Sequence, residues 1–108
     1  MKVLITAFEP FGGQEVNSAL ETMRLLPDCI GKLQILKQEV PTVFYKSIQT
    51  VWQAMEQKKP DAIISLGQAG GRSCISIERI AINVDDASIA DNEGNKPIDK
   101  RIFEDGEN

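Results

Sequence analysis

Histidine is absent from this 108-residue sequence, and cysteine occurs only twice, as Cys29 and Cys74. Two cysteines do not make a disulfide framework, and a chain without export signals is expected in the reducing cytoplasm. Because no histidine can serve as a base beside either thiol, we expect both cysteines to be inert packing residues rather than nucleophiles.

Long apolar runs and an excess of basic residues are also missing. No stretch approaches the roughly 20 apolar residues that span a bilayer. The apolar start, residues 1–7, is too short for a signal peptide and favours a buried strand. The net charge of −4 argues against a nucleic-acid-binding surface. Eight acids and three bases lie in 85–108, so the acidic excess belongs to the last quarter of the chain.

The sequence does contain alternating strand and helix patterns, and its 42% apolar content is typical of a globular domain. Short β-branched segments predict four strands, at 2–7, 33–40, 61–66 and 75–84. Helical spacing predicts two helices, one capped by Asn17 or Ser18 and ending near Leu26, the other at about 41–58. This order predicts an open, mostly parallel α/β sheet flanked by helices.

Apolar spacing also predicts the inner faces of the two helices. The first helix is expected to bury Leu20, Met23 and Leu26, with Leu25 as a further candidate. The second is expected to bury Phe44, Ile48, Val51, Trp52 and Met55. No element is predicted from Asp85 onward. Residues 85–108 are therefore expected to form an acidic loop or tail of a single partial domain, 1–108.

Two loops follow predicted strands and carry ligand-binding residue types. Residues 8–13 hold Phe8, Phe11 and two glycines, at the strand end where open α/β sheets bind ligands. Phe8 and Phe11 could wall an apolar-faced ligand or simply join the core. The spacing of the glycines does not match a nucleotide-binding fingerprint. In 67–72, glycines allow close backbone approach and Gln68 can donate and accept, although a plain turn also explains them.

Acidic residues offer two further candidate sites. Glu78 falls among the isoleucines of the predicted fourth strand, where an unpaired carboxylate is costly. It is either solvated and paired with Arg72 or Arg79, or it orients a catalytic histidine. The acids of 85–93 do not follow the spacing of a calcium loop, so we expect a solvated loop and no metal site.

Four segments, in this order, resemble the signatures of the pyroglutamyl peptidase I family, also called pyrrolidone-carboxylate peptidases. The segments are 8–13 with Asn17; 40–44; 67–72 followed by 78–83; and 91–95 with Pro97 and Ile98. Each segment alone is a weak indicator of the family, but four in register over essentially the whole chain make the resemblance specific.

The resemblance implies a cysteine peptidase that removes N-terminal pyroglutamyl residues from peptides in the cytoplasm. Such enzymes use a Cys nucleophile, a His base and a Glu that orients the His, on an α/β sheet that is commonly assembled as a homotetramer. They need no metal or cofactor. Glu78 matches the orienting Glu, and Phe8, Phe11 and Gln68 match positions around the pyroglutamate pocket.

Several positions depart from the family pattern. The chain ends at Asn108, before the nucleophile and base of the family, so we expect it to be inactive alone. Ser88 stands where the family usually has an Arg thought to stabilise the oxyanion, and loss of such a donor typically lowers turnover about 100- to 1,000-fold. Ser18 and Ile77 replace usual prolines, which affects local backbone geometry only.

Two alternatives to a peptidase half remain. An inactive fragment could bind only pyroglutamate or associate with itself through an exposed sheet edge. An unrelated α/β module could instead bind a small anion, although four family-like segments in register argue against that hypothesis.

Overall fold

The structure, a computed structural model, describes residues 1–106, which form four strands and two helices. Along the chain these are β1 Lys2–Phe8, α1 Ser18–Leu25, β2 Cys29–Ile30, β3 Leu33–Val40, α2 Lys46–Lys58 and β4 Ala62–Leu66. The strand order is β2-β3-β1-β4, with β1 parallel to both neighbours and β2 antiparallel to β3. The predicted open, mostly parallel α/β sheet is therefore confirmed.

The central strand β1 is buried on both faces of the sheet. Residues 3–7 are all buried, as expected for a continuous apolar and β-branched run between two parallel neighbours. Alternation along the strand directs Val3, Ile5 and Ala7 towards α1. The connections β1–α1–β3 and β3–α2–β4 run in opposite directions, and right-handed crossovers therefore put α2 on the other face.

Asn17 fixes the start of α1. Its side chain is 1% exposed and accepts hydrogen bonds from the backbone N–H groups of Ala19 and Leu20, which would otherwise lack partners. The predicted inner residues Leu20 and Met23 are buried against the sheet, with Leu26 packed at the edge of this core. Leu25 is exposed, because it lies on the opposite side of the helix.

Helix α2 begins at Lys46, several residues later than predicted. Residues 41–45 instead form a loop that ends at Tyr45, whose φ of 69° lies outside the helical region. The predicted inner face is wrong in part, since Ile48 and Trp52 are exposed. Ala54 is the buried residue, and the half-buried Val51 and Met55 lie on its side of the helix.

The predicted fourth strand at 75–84 is wrong. This segment is irregular, and Ile75 is 97% exposed. Its alternating isoleucines do favour an extended chain, but a strand also needs a hydrogen-bonding neighbour. Among residues 1–106 the segment pairs with no strand of the sheet. The sheet's fourth strand is instead the two-residue β2, too short for a hydrophobic pattern to reveal.

Strand β4 occupies the edge of the sheet, and Ile63 and Ile64 are both exposed there. Turns and one isolated bridge, between Asp85 and Lys100, follow in 85–106. The acidic tail predicted for 85–108 ends with Glu107 and Asn108, which lie outside the described residues. Over the described range, neither helix has the length and apolar character required to cross a membrane.

Candidate functional site

The carboxyl ends of β1, β3 and β4 lie at one edge of the sheet, where Phe8, Val40 and Leu66 are the last strand residues. The chain moves from β1 to β3 on one side and then returns to β4 on the other. In open α/β sheets, ligands bind outside the carboxyl ends of the strands where the order reverses in this way. The crevice between the ends of β1 and β4 is therefore the candidate site.

The first loop, residues 9–14, is held by the loop after β3. The backbone N–H of Glu9 donates to the Val40 carbonyl at 3.0 Å. Thr42 donates twice in return, from its N–H to the Glu9 carboxylate at 3.2 Å and from its hydroxyl to the Glu9 carbonyl at 2.8 Å. These bonds fix the backbone immediately after Phe8.

Two glycines then turn the first loop, with φ values of 64° at Gly12 and 76° at Gly13. Other residues rarely adopt this left-handed conformation. A Cβ atom built on Gly12 would lie 3.7 Å from the Ile89 side chain, so the chain around position 88 passes beside this loop. Ser88 itself is exposed.

The glycine-rich loop, residues 67–72, follows β4 and is tied to α1. The side-chain oxygen of Gln68 accepts the backbone N–H of Ser18 at 2.6 Å. Gln68 therefore joins Asn17 in satisfying the free N–H groups at the helix start. Within residues 1–106 the Gln68 amide nitrogen has no hydrogen-bond partner, which leaves two donors for a ligand.

The acidic segment, residues 85–95, is ordered around Asp91. The Asp91 carboxylate accepts the backbone N–H groups of Phe44 at 2.7 Å, Asn95 at 2.8 Å and Glu93 at 2.9 Å. Loss of water contact raises the pKa of Asp91, but these bonds and one from the Asn95 side chain outweigh it and lower the pKa to about 2. Lys46 and Glu93 add an ion pair at 2.6 Å.

Asn92 connects the acidic segment to the first loop and to the loop after β3. Its side-chain nitrogen donates to the Glu9 carboxylate at 3.1 Å and to the Pro10 carbonyl at 3.0 Å. Its backbone N–H donates to the Thr42 carbonyl at 3.0 Å. Three loops that are distant in sequence therefore meet at this one residue, through its side chain and its backbone N–H.

A second tie joins the start of α2 to the chain beyond the acidic segment. The Lys100 ammonium donates to the Tyr45 hydroxyl at 2.8 Å and lies 5.2 Å from the centre of its ring. The hydrogen bond to Tyr45 raises the pKa of Lys100 above its ordinary value. Both ends of 91–100 are thus attached to residues 44–46.

Glu78 is not buried among isoleucines, because its predicted strand does not form. Its side chain is 79% exposed and pairs with Arg72 of the glycine-rich loop at 3.1 Å. This is the solvated, paired arrangement that the sequence allowed. It attaches the carboxylate to the loop that carries Gln68. Cys29 and Cys74 are free and exposed rather than packed.

The remaining predicted site residues lie at the carboxyl end of β1 and in the loop that follows it. Phe8 ends β1 at 36% exposure, and Phe11 is half-buried in the first loop. Ala7 pairs with Leu66 across the sheet, so the first loop and the glycine-rich loop begin side by side. Over the described residues no group of three metal-ligating side chains comes together.

Two cavities in the described part of the chain lie elsewhere. One of about 360 Å³ is lined by Ile82, Asn83, Val84, Asp99 and Arg101. Another, of about 480 Å³, lies beside β2 and β3. Neither includes Phe8, Phe11 or Gln68. We assign the candidate site by topology and the converging loops, since these cavities have no comparable group of functional residues.

The sequence did not reveal Thr42, Asp91 and Asn92 as organising residues. Thr42 was assigned to a helix, and Asp91 and Asn92 to a solvated loop. The available signal was Asp91-Asn92 followed by Gly94, since Asp and Asn side chains commonly bond to backbone groups in turns. Their bonds to 9, 10, 42 and 44 span 33 or more residues, which no local pattern encodes.

Comparison with known proteins identifies the family of this chain. The family model described as pyroglutamyl peptidase matches residues 1–108. Two pyrrolidone-carboxylate peptidases are similar over nearly the whole chain. The one from Clostridium perfringens is 55% identical over 107 residues, covering 99% of this chain and 50% of that protein. The one from Thermosipho africanus is 57% identical over 108 residues, covering 100% and 53%.

Solved structures give the same relationship. The crystal structure of Bacillus amyloliquefaciens pyroglutamyl peptidase I is 48% identical with a TM-score of 0.93, covering 98% of this chain and 52% of that one. A mutant pyrrolidone carboxyl peptidase from Pyrococcus furiosus is 44% identical with a TM-score of 0.94, covering 99% and 52%. The chain spans about half the length of the relatives it matches. By sequence and by fold, this chain belongs to the pyroglutamyl peptidase family.

Proposed function

We propose that this chain forms the N-terminal, pocket-bearing portion of a cysteine peptidase that removes N-terminal pyroglutamyl residues from peptides. The observation that carries the proposal is the family match over residues 1–108, with 55% identity to a pyrrolidone-carboxylate peptidase. The adjacent starts of the first loop and the glycine-rich loop, and the ion pair that attaches Glu78 to the glycine-rich loop, support it. We further propose that the enzyme acts in the cytoplasm as a homo-oligomer.

The proposed pocket suits the flat, neutral lactam ring of a pyroglutamyl residue. Phe8 and Phe11 supply aromatic walls from the first loop. The Gln68 amide nitrogen can donate to the lactam carbonyl while its oxygen stays bonded to Ser18. Because α1 holds Gln68 by that oxygen, the amide is already oriented before substrate arrives.

The proposed chemistry needs a thiol and an imidazole from the part of the protein beyond this chain. The histidine takes the proton of the Cys thiol, and the thiolate attacks the carbonyl carbon of the scissile peptide bond. As the C–N bond breaks, the amine leaves with that proton and a thioester remains. Water, deprotonated by the same histidine, then attacks the thioester, which releases pyroglutamate and returns the Cys thiolate. Glu78 accepts a hydrogen bond from the imidazole and holds it in the required tautomer. No metal or cofactor enters these steps.

The test is a chimera of residues 1–108 with the second half of the Clostridium perfringens relative, assayed for pyroglutamate release from a chromogenic amide. We expect release above that of the second half alone. A folded chimera without release would count against the proposal if Ser88→Arg, which supplies the usual family residue, did not restore activity. The second half of the Thermosipho africanus relative provides an alternative if the first chimera does not fold.

The second candidate function is self-association without catalysis. Exposed Ile63 and Ile64 on the edge strand β4 favour it, since an open edge is a template for pairing with another chain. We predict that the isolated chain has a mass that rises with concentration in light scattering, and that Ile64→Lys lowers it. Ile48→Lys, on the exposed side of α2, is the matched control.

Calorimetry with free pyroglutamate completes this comparison. If the isolated chain gives heat of binding while the chimera is inactive, the fragment that only binds pyroglutamate is favoured. A monomeric chain without heat of binding would exclude both non-catalytic versions.

A further inference from the structure

The side chain of Asn92 occupies the junction of the first loop, the loop after β3 and the acidic segment. One nitrogen donates to two oxygens of the first loop, the Glu9 carboxylate at 3.1 Å and the Pro10 carbonyl at 3.0 Å. A primary amide provides these two donors, whereas a carboxylate provides none. The residue type therefore matters at this position.

The first loop has few other attachments. Proline at position 10 contributes no N–H group, and the next residues turn through two glycines with positive φ. Within the described chain, Gln14 donates to the Phe11 carbonyl at 3.2 Å, which is a bond inside the loop. Across residues 10–13, the hydrogen bond from Asn92 to Pro10 is the one that reaches another segment. The position of Phe11 therefore depends on it.

Asn92 is itself attached through the backbone of its own segment. Its backbone N–H is bonded to Thr42, and the preceding Asp91 is bonded to the N–H of Phe44 just before α2. The anchor is thus the loop leading into a helix that packs on the sheet, rather than a free loop. A side chain fixed in this way can transmit its own position to the loop that it contacts.

We propose that Asn92 is a positioning residue for substrate, because its amide holds Glu9 and Pro10 and so places the aromatic wall at Phe11. This role rests on the proposed function, since it acts on the lactam pocket. It does not require Asn92 to touch the substrate. It concerns binding of the ring rather than the proton transfers of the reaction.

The test is Asn92→Asp in the active chimera, because this change keeps the shape and replaces the donor by a carboxylate facing Glu9. We expect the inhibition constant of free pyroglutamate to rise about tenfold, with KM rising alongside and kcat falling less than about threefold. Glu93→Gln is the matched control, since it breaks an exposed ion pair on the same segment without touching the first loop. It should leave the inhibition constant unchanged.

A compensating change separates positioning from general damage. Adding Glu9→Gln to Asn92→Asp removes the repulsion between two carboxylates but returns no donor to the Pro10 carbonyl, so it should recover only part of the lost affinity. If Asn92→Asp does not fold, Asn92→Ala removes both donors without adding charge and should weaken pyroglutamate binding about threefold. An active chimera with an unchanged inhibition constant, or a loss that Glu9→Gln relieves completely, would overturn the inference. An inactive parent chimera would instead contradict the proposed function.

Discussion

At the scale of single residues, the carboxylate of Asp91 holds the acidic segment to the start of α2. Its pKa of about 2 lies below the ordinary 3.8, so the folded chain favours the ionised form. A depressed pKa contributes stability that is complete above about pH 4 and is lost as the pH falls towards 2. The sign follows because protonation removes acceptor capacity that three backbone N–H groups use.

We therefore predict that Asp91→Asn lowers the melting temperature of the chimera at pH 6, and that the difference from the parent shrinks between pH 4 and pH 2. Thermal melts across this range measure it. Glu93→Gln serves as a neighbouring control, and its effect should be small because the pair with Lys46 is exposed. An Asp91→Asn difference that stays constant with pH would show that the charge of Asp91 is irrelevant.

Glu78 shows what a sequence can and cannot say about one side chain. The resemblance to family signatures identified the residue, and pairing with Arg72 was foreseen as one alternative. Its exposure belongs to that same alternative, but the exposure of the flanking isoleucines is not predicted, because their alternation indicates a strand that does not form. Whether a side chain is buried depends on the segments that pack against it. Those segments are often distant in sequence, so a local pattern does not reveal them.

We predict that Glu78→Gln lowers kcat of the active chimera about 1,000- to 10,000-fold, because an amide does not stabilise the imidazolium or enforce its tautomer. Steady-state kinetics with a chromogenic amide measure the effect. Arg72→Gln removes the ion-pair partner but keeps the carboxylate, so kcat should change less than about threefold. Equal losses from both changes would argue that the pair, rather than the carboxylate, is needed.

At the scale of elements, segments with strong local signals were predicted well. β1, β3 and β4 are short β-branched runs between turn formers, and α1 starts at the expected Asn17 cap. The failures arise where tertiary contacts override local preference. Residues 41–45 have a helical apolar pattern but are bonded to Glu9 and Asp91 as a loop. Residues 75–84 have strand alternation but no strand partner in the described chain.

The same reasoning applies to the site. The loops after β1 and β4 are predicted to carry ligand-binding residue types, and the sheet order makes them neighbours. The connections that shape those loops, through Thr42 and Asn92, were not predicted because they join positions far apart in sequence.

For α1, we predict that Asn17→Ala lowers the free energy of unfolding by about 1–2 kcal/mol, because two backbone donors at a buried helix start lose their acceptor. Urea denaturation of the chimera measures this loss. Asn17→Asp keeps the acceptor and should retain most of the stability. Ser18→Ala should be nearly neutral, since Gln68 bonds the backbone of Ser18. An Asn17→Ala variant as stable as the parent would contradict the capping role.

At the scale of the whole molecule, the chain combines a set of hydrogen-bonded loops with a large exposed apolar surface. Isoleucines at 63, 64, 75 and 77 are exposed, in a chain that spans about half of its relatives. A half-covered α/β sheet is expected to be marginally stable by itself. Stability and activity are therefore best measured with the second half supplied.

The central claim is that residues 1–108 carry the lactam pocket of a peptidase, and its most direct test is the substrate preference of the chimera. The measurement is kcat/KM for a pyroglutamyl amide against the matching prolyl amide, which keeps the five-membered ring but has a protonated ring amine in place of the neutral lactam. We predict a preference of at least about 1,000-fold for the pyroglutamyl amide, because a site built to bond a polar group rejects analogues that lack it. A folded chimera that cleaves the two amides equally would contradict the claim. So would a folded Ser88→Arg chimera that cleaves neither amide.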